Sequence, residues 1–169
     1  MKSGHISEQA VRNRLILAAV LATAAVAGPA HALTLKGLSG QVKEIGPAVF
    51  AALPHSSLKI EMHGKAHVFE GVPMLELLRT VGAPWGDTLT GKDLAEVALA
   101  TCQDGYKVAY SLGEIDPGTA KGQVLVADRE DGAPLSAKAG PFQIVVEADA
   151  RPARAARMVS SIALLRLAP

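Results

Sequence analysis

The chain has 169 residues with 17 Lys+Arg against 16 Asp+Glu, a formal net charge of +1, and 49% hydrophobic residues. This balance offers no bulk attraction for nucleic acid or an anionic membrane. The single cysteine, Cys102, excludes an intramolecular disulfide framework.

The chain opens on Lys2, Arg12 and Arg14, followed by an apolar run from Leu15 to Ala27, the breakers Gly28-Pro29, and Ala30-His31-Ala32. These are the basic region, apolar region and small-residue cleavage site of a secretory signal, so residues 1–32 are expected to be removed on export. A membrane anchor fits less well, because about 13 apolar residues make a helix of roughly 20 Å against a hydrocarbon core of ~30 Å. Arg12 and Arg14 are separated by Asn13. The segment therefore reads as a general secretory signal rather than a twin-arginine one, and the chain is expected to cross the membrane unfolded, without a bulky cofactor. The mature protein is expected to be periplasmic or secreted, with no stable membrane insertion. Removing the signal takes away three basic residues and one acidic one and leaves residues 33–169 near neutrality. That length suits one domain with its own core.

In chain order, strands are expected at Leu33–Leu38 and Gln41–Glu44. A helical turn opened by Gly46-Pro47 runs to Leu53. Leu58, Ile60 and Met62 alternate with Lys59, Glu61 and His63 in a half-buried strand, and Ala66–Phe69 returns as its hairpin partner. Pro73 starts the clearest helix, with Met74, Leu75, Leu77, Leu78 and Val81 on its apolar face and Gly82 as cap. Glu96–Thr101 and Lys107–Ser111 read as strands around Asp104-Gly105, and Ser111 caps a turn through Ile115. Gln123–Ala127, Pro141–Val146 and Val159–Leu167 complete the strands, with a turn at Asp131-Gly132 and a short basic stretch at Arg151–Met158. About eight short strands, one main helix and a few helical turns make an α+β domain built on a mixed sheet.

Several blocks, in this order, resemble the sulfite-oxidase-like molybdopterin-binding domain. They are Phe69-Glu70-Gly71-Val72-Pro73-Met74-Leu75-Glu76-Leu77-Leu78; Asp104-Gly105-Tyr106 with Tyr110-Ser111-Leu112 and Glu114; Val124–Asp128 with Asp131-Gly132-Ala133-Pro134-Leu135; Gly140–Val146; and Arg157–Ile162. The resemblance implies that fold over nearly all of 33–169, and molybdopterin as the family's cofactor. In its catalytic members a cysteine thiolate before the Gly-Val-Pro block ligates molybdenum. Here that region reads Ile60-Glu61-Met62-His63-Gly64-Lys65-Ala66-His67, without cysteine. A soft thiolate is what such a metal needs, so the carrier of the family's oxygen-transfer chemistry is missing.

Arg151, Arg154 and Arg157 sit three apart, a spacing that on a helical turn would put three guanidinium forks on one face to grip an anion; the resemblance adds that a basic residue near Arg157 contacts the pterin phosphate in relatives. A solvated basic turn near Glu147 and Asp149 is the plainer reading. His63 and His67, with His55 upstream and Glu61 or Met62 beside them, are candidate metal ligands across a hairpin. Asp104, Tyr106, Glu114, Asp116 and Asp128 are candidate cleft residues. Cys102 reads as inward packing rather than a reactive thiol, and Trp85 as a cover for the core. Three functions follow: an exported ligand-binding or accessory module serving a small anionic ligand or a redox or signalling partner; a molybdopterin oxidoreductase with an unusual or partner-completed site; or a small periplasmic metal-binding protein.

Overall fold

A computed structural model describes residues 32–62 and 64–167. All of the expected export signal except Ala32, together with His63, lies outside the described residues. The domain is α+β, mostly sheet with few helices. Its strands are β1 (Leu33–Lys36), β2 (Val42–Ile45), β3 (Ser56–Met62), β4 (Lys65–Pro73), β5 (Glu96–Cys102), β6 (Lys107–Ser111), β7 (Val124–Glu130), β8 (Ala133–Pro134), β9 (Gln143–Val146) and β10 (Val159–Arg166). The α-helices are short: α1 (Pro47–Ala51), α2 (Met74–Arg79) and α3 (Leu112–Ile115). Among the described residues no helix is long and apolar enough to cross a membrane.

The expected single mixed sheet is two sheets. The first runs β2-β1-β10-β5-β6, with β1 parallel to β10 and the other pairs antiparallel. The second runs β3-β4-β7-β8, and β9 also pairs with β7. β10 makes the difference: the last strand inserts between the first and the fifth, a pairing that alternation along β10 cannot name. The Gly86–Thr88 and Gly91–Ala95 3-10 turns were also not expected from the pattern.

α2 bears out its sequence. Met74, Leu75, Leu77 and Leu78 are buried, and Gly82, at φ +86°, closes the helix while Ala83 N–H donates to the Leu78 carbonyl at 3.1 Å. On β7, Val124 and Val126 join the main core, whereas Leu125 and Ala127 join a smaller cluster with Leu58, Phe69 and Val145. A strand covered on both faces has to be continuously apolar, which is why 124–127 does not alternate. Gly71 is where β4 and β7 close up. A Cβ there would stand 2.1 Å from the Val126 carbonyl oxygen, beside a register shift at Glu70/Gly71.

Candidate functional site

The β5–β6 hairpin, α3 and the segment after β9 converge on Arg154. Within the short basic 151–157 stretch only Pro152–Arg154 is helical, as one 3-10 turn, so the three arginines do not share the face that a helical turn through 151–157 would give them. Two tyrosines clamp that turn. Asp104 Oδ1 accepts the Tyr106 N–H at 2.9 Å, closing an Asx turn over Gly105 (φ +85°). The Tyr106 hydroxyl then donates to the Ala153 carbonyl at 3.0 Å. Tyr110, on β6 and fully buried, donates its hydroxyl to the Arg154 carbonyl at 2.5 Å. Burial pushes the Tyr110 phenol far above its ordinary pKa, so it stays a donor.

The Arg154 side chain is already engaged. Nε and Nη2 donate to the two oxygens of Asp149 at 3.1 and 2.5 Å, and Nη1 donates to Glu114 Oε1 at 2.8 Å. The hydrogen bonds it donates to Asp149 hold the guanidinium even more firmly charged than usual. Glu114 is placed by α3, whose N-cap Ser111 Oγ accepts the Glu114 N–H at 3.2 Å. The pairing with Asp149 accords with the plainer reading of a basic turn beside its own acidic residues. Arg154 faces two carboxylates of its own chain. Arg151 lines a small depression with Glu61 and Met62 that lies on the other side of Asp149 and Val146, residues it shares with the Arg154 cleft, and Arg157 is exposed and lies beyond the turn.

Beside this cluster lies a cleft of about 240 Å³ lined by Glu114, Lys121, Gln123, Val146, Asp149 and Arg154. A second, apolar cleft of about 210 Å³, lined by Pro73, Leu75, Ile115 and Pro117, meets it at Gly122-Gln123-Val124. Together they offer a polar half and an apolar half.

The remaining candidates line neither cleft. Asp116 is buried and accepts N–H groups from Gly86 at 2.6 Å and Gly118 at 2.7 Å. Asp128 meets His55 Nε2 at 3.3 Å, while His55 Nδ1 donates to the Leu53 carbonyl at 2.7 Å. Trp85 lies under Arg79, 4.1 Å from guanidinium carbon to ring centroid, and is half-exposed rather than a core cover. His67 is placed against Glu130 and Asp131, each 3.0 Å from its Nδ1. Cys102 is 3% exposed, and burial, with Asp104 nearby, raises its thiol pKa. The only thiol in the chain is thus neither at the surface nor favoured as thiolate, and the donor set does not match a cysteine-ligated molybdenum.

Sequence reading missed Tyr110 as a site residue, although its inward alternation with Val108 on β6 was a signal. It also missed Glu96, fully buried opposite Arg166 and bonded to it, with Oε2 unpartnered among the described residues.

No family model and no curated protein sequence matches the chain. Among solved structures, the chain is similar to the sulfane dehydrogenase SoxCD from Paracoccus pantotrophus, with a TM-score of 0.60 at 11% identity. What is shared is the fold. The likeness covers 81% of this chain and 38% of that chain, so this chain spans well under half the length of its neighbour.

Proposed function

We propose that this chain is an exported module of the molybdopterin-domain kind that binds a small ligand in the cleft beside Arg154 and carries out no molybdenum chemistry of its own. The fold likeness to a sulfane dehydrogenase supports the domain kind. The observation that carries the rest is the buried Cys102: the one thiol of the chain is packed into β5 and cannot serve as an open metal ligand. Arg154, neutralised by Asp149 and Glu114, is a poor grip for a phosphate, because an anion would have to displace a carboxylate. The cleft suits a small molecule with one apolar part and one hydrogen-bonding part, with Gln123 and Lys121 available to the polar end. Such a module would serve a redox or signalling partner outside the cytoplasm.

Native mass spectrometry of protein recovered from the exporting cell tests both halves of this reading. The expected mass is that of the polypeptide beginning at Leu33, without a pterin. A chain that retains residues 1–32 would overturn export, and an added molybdopterin mass would overturn the non-catalytic role.

A further inference from the structure

Around His67 the second sheet assembles a group of ligands that shares no residue with the Arg154 cleft. Phe69 stands opposite Glu130 in the β4–β7 register, so alternation puts His67, Phe69 and Glu130 on one face. Asp131 follows in the left-handed region at φ 51°, at the β7–β8 turn. It is fixed by two bonds to one residue: its N–H donates to the Val68 carbonyl at 2.7 Å, and its Oδ1 accepts the Val68 N–H at 2.8 Å. That leaves Oδ2 aimed at His67 Nδ1, 3.0 Å away, while Glu130 Oε1 reaches the same nitrogen, also at 3.0 Å.

One ring nitrogen carries at most one hydrogen, so it cannot give a full hydrogen bond to two carboxylates. The three ligand atoms all lie within 4.8 Å of one another. Metal–ligand bonds of about 2.0–2.2 Å put neighbouring ligand atoms roughly 2.9–3.4 Å apart. The spacing around Nδ1 is therefore that of a coordination shell as much as of an ion pair. The side chains are 26%, 29% and 54% exposed for His67, Glu130 and Asp131, which leaves a way in for an ion from solvent.

We propose that His67 Nδ1, Glu130 and Asp131 Oδ2 form a site for a borderline divalent cation, of which Zn²⁺ is the probe. The imidazole decides the class: two carboxylates alone would suit Ca²⁺ or Mg²⁺, whereas a nitrogen ligand selects zinc-like ions. On binding, the ion replaces the Nδ1 proton, which passes to Nε2 or to the buffer, and each carboxylate gives one oxygen to the metal. This site differs from a pairing of His63 with His67, because its other two ligands come from the far end of β7 and its turn.

Calorimetric titration of the full chain with Zn²⁺ tests it. One ion per chain is expected, with at least tenfold weaker binding in both His67→Gln and Glu130→Gln, and no displacement by equimolar Ca²⁺. Unchanged affinity in those variants would overturn the site, as would binding lost in His63→Ala but kept in Glu130→Gln. A mapping on the unmodified protein covers the case of a variant that misfolds. Substoichiometric Cu²⁺, a paramagnetic ion that imidazole also favours, should broaden the amide resonances of 67–69 and 130–132 first, and broadening elsewhere instead would contradict the proposal.

Discussion

Tyr110 has its phenol closed off from water and gives its one proton to the Arg154 carbonyl. Replacing it with Phe leaves the ring packing intact and strands a carbonyl. Tyr110→Phe is therefore expected to cost about 1–2 kcal/mol in urea unfolding, while Tyr106→Phe, on a half-exposed residue, should change stability by no more than about 0.5 kcal/mol. Asp93 gives a pH test. Its carboxylate accepts the Thr90 hydroxyl at 2.7 Å and the Thr90 N–H at 2.8 Å, and these bonds hold its pKa below the ordinary carboxylate value. A depressed folded-state pKa contributes stability above the ordinary carboxylate range, and that contribution is lost as pH falls through the folded value. The melting-temperature gap between the parent and Asp93→Asn should thus be widest near neutrality and close on acidification. A gap independent of pH would show that the charge plays no part. At this scale the sequence is informative where partners are close along the chain. The Ser111 cap and the Asp104-Gly105 turn could be read directly, since each bonds within three residues. The Tyr110–Arg154 bond spans 44 residues and leaves no local pattern.

The elements follow the same division. α2 and the β3–β4 hairpin were legible because periodicity and a glycine cap or turn are local properties. Alternation also says which face of β10 is buried, but not that its neighbours are β1 and β5, where Arg166 meets Glu96 and Ser161 meets Thr34. The Gly-Val-Pro block was legible only as a resemblance, and the structure supplies its reason: Gly71 lets β4 approach the Val126 carbonyl. Gly71→Ala should cost about 3 kcal/mol through that overlap. Gly46→Ala, where a Cβ meets nothing within 4 Å and φ is −71°, should be near neutral. Equal effects of the two substitutions in thermal unfolding would remove the close-approach argument.

For the whole molecule, fold and chemistry are separate questions. The fold likeness to a sulfane dehydrogenase extends over 81% of the chain, yet a fold hosts many chemistries, and function is argued from the site. At the site, Arg154 is bound to Asp149 and Glu114, Arg151 lines a depression on the other side of Asp149, and Arg157 is exposed. Asp149, five residues before Arg154, lay within reach of a local reading, whereas Glu114, 40 residues away on α3, did not. The missing cysteine, by contrast, was plain from residues 60–67 alone. The most direct measurement is the molybdenum-to-protein ratio, with fluorescence of oxidised pterin, for the full chain produced in cells that make molybdopterin. A ratio near zero with no pterin fluorescence is expected; one molybdenum and one pterin per chain would contradict the central reading.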